Sequence, residues 1–415
     1  MQDWIKHTNI YEVNLRQYTT EGTINAFAAH LPRLRDMGIE TLWFMPITPI
    51  AQKNKKGSLG SYYACSDFTS VAEEFGTLDD FVSLVQQAHG MGFKVILDWV
   101  ANHTGWDHRW TVEHPDWFEK DEYTSDFKKA SGMDDIIELD FTNRYLRAAM
   151  IDAMAFWIRK ADIDGFRCDL AFWVELDFWV EAKPVLEGMK PLFWLGELDS
   201  LDSPEYMQVY DAAYTWKWMH KAEQFYKGQA SFGDLLQVLH QYQQAPGLKA
   251  WFTSNHDENS WNGTEYEKYG ELARGLAVFS ATWPGIPLIY SGQELPNSKR
   301  LQFFEKDPID WQPQNNLHSF YQTLLRLKKT NAALATDAQL DVLVWDEWQR
   351  VLGFSRRVAE NEVLVVLNFS GEERRVALPE KVSGPFVDVF SGENHDFSTG
   401  RELTLQPWSF SVLEN

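Results

Sequence analysis

Eight short apolar segments, separated by stretches with helical periodicity, constrain the fold more than any other feature of this sequence. Most are continuous apolar runs with little alternation, as expected for strands that are buried on both faces. The candidate strands are 10–16, 41–47, 94–100, 165–169, 192–197, 212–216, 251–256 and 286–290. Strands that alternate with helices indicate a parallel sheet, and eight of them predict a closed (β/α)8 TIM barrel of the α/β class.

An open, doubly wound sheet is the alternative for such a pattern. After the first strand, Ile24, Phe27, Leu31 and Leu34 follow one another at helical spacing, which fits either architecture. A doubly wound sheet would normally carry a glycine-rich phosphate-binding loop between that strand and that helix. The segment 16–20 reads RQYTT and contains no glycine, so the barrel is favoured.

Two regions depart from the barrel pattern. The segment 104–141 is long, irregular and rich in Trp, His and Asp, which is typical of an excursion that shapes a site. From residue 335 onwards, short β-type runs separated by turn residues predict a small antiparallel β domain. The predicted domains are a barrel made of 1–103 and 142–334, an inserted domain 104–141, and a C-terminal β domain 335–415.

The charge excludes several kinds of partner. The chain has 38 basic and 60 acidic residues and a formal net charge of −22. Such a surface repels a phosphate backbone, so we expect no nucleic-acid partner, and acidic substrates are disfavoured. A neutral glucan is compatible with it, although a purely solubilising role explains the charge equally well. No apolar stretch is long enough for a membrane span, so no membrane partner is expected, and the oligomeric state is left open.

The two cysteines and the N-terminus add little. Cys65 and Cys168 are too few for a disulfide framework or a four-ligand metal cluster, and Cys168 is expected to be a small core residue. No apolar leader follows Met1. A cytoplasmic location is therefore expected, although a trimmed leader would leave the same sequence.

Four polar clusters follow the third, fourth, fifth and seventh predicted strands. They are DWVANHT at 98–104, GFRCDLA at 165–171, GELD at 196–199 and FTSNHDEN at 252–259. The C-terminal ends of the strands of a barrel converge on one mouth, where catalysis takes place. We therefore expect Asp169, Glu197 and Asp257 to meet there, together with His103 and His256.

Three carboxylates at one mouth suit the cleavage of an acetal. That reaction needs an acid to protonate the leaving oxygen and a second carboxylate to meet the oxocarbenium-like carbon. Arg167 lies two residues before Asp169, on the same strand face, and is expected to lower the pKa of Asp169. The acid needs a raised pKa, which burial and neighbouring carboxylates would supply.

The clusters resemble the conserved regions of the α-amylase family of glycoside hydrolases, family 13. Further resemblance lies in YEVNLRQYT at 11–19, IELDF at 137–141 and GIPLIYSGQE at 285–294. The resemblance covers essentially the whole chain in the right order. It implies a catalytic barrel, an inserted domain, a C-terminal β-sandwich, and cleavage of α-1,4-linked glucans or malto-oligosaccharides with retention through a covalent glycosyl-enzyme intermediate.

The resemblance also implies a role for individual residues. Asp169 would be the nucleophile, Glu197 the general acid/base and Asp257 the stabiliser of the transition state. The implied substrate-binding set is Tyr63, His103, Arg167 and His256, with Tyr63 stacking under the sugar at the cleavage point and Arg167 partnering the nucleophile. Asp98 is expected to be structural, bridging to Arg167.

Two departures from the family pattern concern specificity and metal. Phe172 and Trp173 stand where many α-amylases have Lys-His, so a polar grip on the leaving-group side is missing, and Trp173 is a candidate sugar platform. The family needs no cofactor for its chemistry but often binds a structural calcium. Asn102 matches one calcium ligand and Glu138 stands where an aspartate is usual, so Ca²⁺ is a candidate structural ion, although Asn102 also suits a loop-fixing hydrogen bond.

Two other functions remain open. The apolar Phe172-Trp173 pair could favour a sugar acceptor over water, which would make the protein a transglycosylase that uses the same intermediate. A non-catalytic carbohydrate-binding protein on the same barrel is the third hypothesis. It ranks last because Asp169, Glu197 and Asp257 are all present.

Overall fold

The predicted barrel is confirmed. The computed structural model describes residues 2–311 and 316–415, and its eight parallel strands close in the order β1-β2-β3-β6-β7-β8-β9-β10 and back to β1. The barrel strands are β1 Ile10–Val13, β2 Thr41–Phe44, β3 Lys94–Trp99, β6 Gly165–Cys168, β7 Phe193–Asp199, β8 Ala212–Tyr214, β9 Leu248–Trp251 and β10 Ile286–Tyr290. Their residues are almost entirely buried, because helices cover the outside and side chains fill the inside.

Helices of varied length surround the barrel. The α-helices are α1 Leu15–Tyr18, α2 Ile24–Ala28, α3 Leu31–Met37, α4 Leu78–Gly90, α5 Trp110–Glu113, α6 Arg144–Ala161, α7 Leu176–Glu187, α8 Trp216–Tyr226, α9 Phe232–Gln244, α10 Glu265–Tyr269, α11 Ala273–Thr282 and α12 His318–Thr330. Short 3-10 helices lie at Asp3–His7, Pro115–Trp117, Ala130–Gly132, Ala171–Trp173, Pro204–Gln208, Gly270–Leu272 and Ala332–Leu334, and a π-helix at Glu258–Asn262. Capping boxes begin several of them, as Thr77 and Asp80 do for α4.

The seventh strand lies earlier than predicted. It spans Leu248–Trp251 rather than 251–256, because ladder pairing with β10 ends at Trp251. The residues that follow it are still mostly buried, but they no longer belong to the sheet, and the chain continues into the π-helix. Asp257 therefore lies in the helical turn that leads directly into the π-helix, beyond the end of β9.

The segment between β3 and β6 covers the barrel mouth. Two short antiparallel strands, β4 His103–Gly105 and β5 Ile136–Glu138, form its stem, with His103 opposite Glu138. Because β4 follows β3 after only three residues, the excursion stays close to the strand ends. The predicted domain limits at 103/104, 141/142 and 334/335 stay predictions.

The C-terminal antiparallel β domain is confirmed as two layers. A six-stranded sheet, ordered β11-β12-β13-β18-β15-β16, faces the two-stranded sheet β14-β17. These strands are β11 Gln339–Asp346, β12 Val351–Val358, β13 Asn361–Asn368, β14 Arg374–Ala377, β15 Pro385–Asp388, β16 Asn394–Asp396, β17 Glu402–Leu405 and β18 Phe410–Glu414. Strand β16 carries only polar residues.

Strand β13 attaches this domain to the barrel, because its side chains point alternately to two different cores. Val363 and Val365 belong to the core that extends into the barrel, whereas Leu364 and Val366 belong to the core between the two β layers. The period of two therefore gives one strand two buried faces. Both cysteines are buried, and no helix in the described ranges is long and apolar enough to cross a membrane.

Gly165 marks the closest approach of β6 to β7. A Cβ atom at this position would lie 2.1 Å from the carbonyl oxygen of Phe193, a backbone atom of the neighbouring strand. We expect Gly165→Ala to destabilise the fold by about 1–3 kcal/mol or more, since the strands must separate to admit the methyl group.

Thermal unfolding measures this, with Gly90→Ala as the matched control because a Cβ there meets nothing within 4 Å. Equal melting temperatures for the two variants would contradict the close packing of β6 on β7.

Candidate active site

One buried arginine joins the carboxylates of three strands. The Nη1 atom of Arg167 lies 2.9 Å from Oδ1 of Asp98 and 2.9 Å from Oδ1 of Asp169, and its Nη2 atom lies 2.9 Å from Oε2 of Glu197. Strands β3, β6 and β7 are neighbours, and their register places Asp98 beside Arg167. The expected bridge between Asp98 and Arg167 is therefore present.

Asp98 is fixed on its other oxygen as well. Its Oδ2 atom accepts hydrogen bonds from the hydroxyl of Tyr63 at 3.1 Å and from the indole Nε1 of Trp43 at 3.1 Å. All of its surroundings are thus protein groups rather than solvent. Asp98 holds Arg167 and Tyr63 in place, which suits a structural role.

Glu197 reaches the turn that follows the predicted nucleophile. Its Oε2 atom accepts the backbone N–H of Leu170 at 2.8 Å. Leu170 has a left-handed backbone with φ 40°, which is rare for a branched residue and indicates a strained turn directly after Asp169. This bond fixes the two predicted catalytic carboxyls relative to each other.

Burial dominates the protonation of this cluster. It raises the pKa of Glu197 to about 7, against the opposing effect of Arg167 and with the support of Asp169 and Asp257. It also raises the pKa of Asp169 to about 6, although Arg167 acts in the expected, lowering direction. Burial outweighs the effect of Arg167, but Asp169 still ionises before Glu197.

A second charged network surrounds His256. His256 donates from Nδ1 to Glu12 and from Nε2 to the Tyr63 hydroxyl at 2.8 Å, and its Nε2 lies 3.3 Å from Oδ2 of Asp257. Burial opposes the charge of His256, but Asp257 and Glu12 outweigh it and raise its pKa to about 9. The imidazolium is thus charged at neutral pH and stacks on Tyr63 with ring centres 5.3 Å apart.

His103 offers an unused hydrogen-bonding atom. Its Nε2 is buried and has no partner among the described residues. Burial lowers the pKa of His103 to about 4, so the ring is neutral at pH 7. A buried polar atom without a partner is costly unless a ligand satisfies it, which supports the predicted contact with a sugar hydroxyl.

A cavity of about 420 Å³ is lined by the three predicted catalytic carboxylates together with Tyr63 and His103, whereas Arg167 and His256 lie behind its lining. Its lining consists of Lys56, Ser61, Tyr63, His103, Met133, Asp135, Ile136, Asp169, Leu170, Glu197, Asp257, Trp261, Phe303 and Phe304. The sequence-predicted Trp173 is not part of this lining, whereas Trp261 is half exposed there.

Sequence reasoning missed several members of the site. Glu12 is fully buried within an otherwise apolar strand, and a carboxylate at such a position could have been recognised as functional. Phe303 and Phe304 lie in a loop after β10, where two adjacent aromatic residues are unusual. Lys56 and Asp135 are distant in sequence, and no local pattern connects them.

The structure does not show the candidate calcium site at Asn102 and Glu138. The carboxylate of Glu138 lies 2.8 Å from the ammonium group of Lys128, so its negative charge is already paired within the protein. The amide nitrogen of Asn102 lies 3.4 Å from Nδ1 of His103. In the described part of the chain, no three His, Cys, Asp or Glu side chains are placed to hold a metal ion.

Comparison with known proteins supports the resemblance found in the sequence. The model of the α-amylase catalytic domain matches residues 8–134 and 113–368, and that of the maltogenic amylase C-terminal domain matches residues 340–412. The chain belongs to the α-amylase family of glycoside hydrolases. Enzymes of this family need no cofactor for their chemistry.

Similar family members span all of this chain. It is 28% identical over 99% of its length to the α-amylase MalA of Haloarcula japonica, of which it covers 62%, and 27% identical to neopullulanase 2 of Thermoactinomyces vulgaris, of which it covers 71%. An α-amylase structure from Lactobacillus plantarum matches with a TM-score of 0.89 at 28% identity and full coverage of both chains. The noncanonic maltogenic α-amylase AmyB of Thermotoga neapolitana matches with a TM-score of 0.90 at 28% identity and 99% coverage of both.

The order of the two pKa values predicts a narrow bell-shaped dependence of kcat/KM on pH. Activity requires Asp169 ionised and Glu197 protonated, so it should fall as the pH drops below about 6 and as it rises above about 7. Asp98 raises the pKa of Asp169 but is not among the main influences on Glu197. Asp98→Asn should therefore shift the acid limb to lower pH and move the alkaline limb less.

The measurement is kcat/KM for an aryl maltoside between pH 4 and 9. An alkaline limb that moves while the acid limb stays would show that the two roles are assigned the wrong way round.

Proposed function

We propose that this α-amylase family protein cleaves α-1,4-linked glucosides with retention of configuration. The observation that carries the proposal is the sharing of one buried guanidinium by Asp169 and Glu197, with Asp169 the more acidic of the two. This arrangement supplies an ionised nucleophile beside a protonated acid at near-neutral pH.

The reaction has two balanced steps. A carboxylate oxygen of Asp169 attacks the anomeric carbon while Glu197 gives its proton to the glycosidic oxygen, and the leaving sugar departs with a free hydroxyl group. Glu197, now ionised, takes a proton from water, and the resulting hydroxide displaces Asp169 from the sugar. Two inversions at one carbon leave the α configuration unchanged.

Other residues support the charge that develops on the sugar. Asp257 lies beside the cavity with its carboxylate partly exposed, in a position to stabilise the positive ring. The flat face of Tyr63, backed by the ring of His256, suits stacking under the sugar. The free Nε2 of His103 is available for a hydroxyl group.

Neutral malto-oligosaccharides are the substrate class that we propose. Relatives named neopullulanase and cyclomaltodextrinase support an α-glucan substrate. A relative from Bacillus subtilis, 24% identical, is named intracellular maltogenic amylase, and it supports the expected cytoplasmic location. The test is a time course on maltoheptaose that reads product size and anomeric configuration together by chromatography and proton NMR, with α-anomers expected first.

Replacing each carboxyl separates the two roles. We expect Asp169→Asn to lower kcat on maltoheptaose by roughly three orders of magnitude or more, and Glu197→Gln by about 10²–10⁴-fold. α-Maltosyl fluoride has a leaving group that needs no proton. Glu197→Gln should therefore form the covalent intermediate rapidly from the fluoride, whereas Asp169→Asn should not.

The intermediate is detected as a mass increase of the intact protein in single-turnover experiments. An unchanged melting temperature controls for misfolding. If the two variants fail equally on the fluoride, Glu197 has another role.

Transglycosylation is the second candidate, because Phe172 is unusually exposed for a phenylalanine. It is 45% exposed and lies two residues beyond Leu170, which lines the cavity, at a position that the family resemblance assigns to the leaving-group side. An apolar face there can stack an acceptor sugar in place of water.

We expect Phe172→Ala to reduce the ratio of products longer than the substrate to glucose and maltose by several-fold, measured on maltotriose at high concentration. Val112→Ala, an equally apolar and 86% exposed site on the insertion, is the control. A ratio that is the same in both variants would remove Phe172 as an acceptor platform.

A further inference from the structure

The segment 52–59 between β2 and α4, called here the bridging loop, touches both walls of the active-site cleft. One wall is the insertion that follows β3, and the other is the loop that follows β10. Lys56 of the bridging loop and Phe304 of the β10 loop both line the cavity that holds Asp169 and Glu197. The bridging loop therefore lies across the cleft rather than beside it.

Three contacts anchor the bridging loop to the insertion. The ammonium group of Lys56 lies 2.7 Å from Oδ1 of Asp135, whose carboxylate is almost completely buried. Oδ2 of Asp107 accepts the backbone N–H groups of Gln52 at 2.8 Å and Lys53 at 3.0 Å. The charge of Lys53 also lies 5.0 Å from the ring centre of Trp106.

The other end is anchored to the β10 loop. The backbone N–H of Leu59 donates to the carbonyl oxygen of Phe304 at 3.1 Å, and that of Ser58 donates to Oε1 of Glu305 at 2.8 Å. Gly57 has a left-handed φ of 63°, and a Cβ there would lie 2.5 Å from Cβ of Phe304. Only glycine permits this approach, so the loop is seated closely on Phe304.

The strand order shows which end of the cleft is bridged. In the ring of eight strands, β1 stands four positions from β7, which carries Glu197. The strands β2 and β10 flank β1, so a loop that joins their C-terminal ends passes over β1, across the mouth from Glu197. Since Glu197 protonates the leaving oxygen, the leaving sugar lies on its side, and the bridged end holds the part of the substrate that becomes bound to Asp169.

We propose that the bridging loop closes the cleft at the non-reducing end of the substrate, so that the enzyme acts from that chain end. In this pocket Lys56 is a specificity-determining residue. Its ammonium group has three N–H donors, lies 2.7 Å from Asp135 and lines the cavity, so it can also bind hydroxyl groups of the terminal sugars. This inference rests on the proposed function and adds the direction and the end from which the chain is cut.

The test compares two aryl maltoheptaosides that differ only at the non-reducing terminal sugar. One has free hydroxyl groups there and the other carries a 4,6-benzylidene block. A closed pocket should reject the block, so we expect the wild-type protein to cleave the free substrate at least about tenfold faster in kcat/KM.

Opening the pocket should remove this preference. Lys56→Ala combined with Glu305→Ala deletes one anchor on each side of the cleft, and the ratio of free to blocked cleavage should fall towards one. Lys55→Ala is the matched control, because among the described residues Lys55 donates only to Gln52, and it does not line the cavity. It should keep the wild-type ratio.

The outcomes separate this inference from the proposed function. Cleavage of the free but not the blocked substrate, with the preference lost only in the double variant, supports both. Equal cleavage of the two substrates by the wild-type protein leaves the proposed function intact and overturns the closed pocket. Cleavage of neither substrate overturns the proposed function and this inference with it. A preference unchanged in a double variant that still folds, as judged by its melting temperature, overturns the role of Lys56 and the loop.

Discussion

The buried guanidinium of Arg167 is the interaction on which the chemistry of this barrel depends. A cation removed from water is costly, and here three carboxyl groups from neighbouring strands offset that cost. Three ionised carboxylates around one guanidinium would leave an uncompensated negative charge in the interior. The cluster therefore holds a proton near neutrality, and Glu197, whose pKa is the highest of the three, holds it most firmly. Burial raises the pKa of Glu197 most, and the neighbouring carboxylates that the strand register places around Arg167 raise it further.

The network around His256 stabilises a buried cation instead of a buried neutral acid. Two carboxylates, Glu12 and Asp257, flank one imidazole, and the ring becomes a cation even though it is buried. Both N–H groups then act as donors, so the hydroxyl of Tyr63 accepts from His256 and donates to Asp98. Tyr63 thereby connects the two charged networks, and its orientation under the sugar depends on both.

Features that depend on neighbouring residues in the sequence could be predicted, whereas features that depend on distant contacts could not. The barrel was predictable because most of its buried strands are largely apolar runs, and Asp169 and Glu197 because they stand at the ends of predicted strands. The limits of β9 were not, since Phe252 is as apolar as Trp251 and only the pairing with β10 distinguishes them. The net direction of the pKa of Asp169 depends on burial, which one adjacent arginine in the sequence does not reveal.

The residues that could not be predicted belong mainly to loops. The chemistry therefore depends on the strands, and the specificity depends on the loops. Strand register fixes Arg167 and its carboxylates to within hydrogen-bond distance, and no loop is needed for that. The shape of the cleft depends instead on contacts between loops far apart in sequence, such as Lys56 with Asp135 and Gly57 with Phe304. A change in these loops can alter which chain end enters without disturbing the charge balance around Arg167, because the two sets of contacts share no residue. One barrel can therefore keep its reaction while its substrates change.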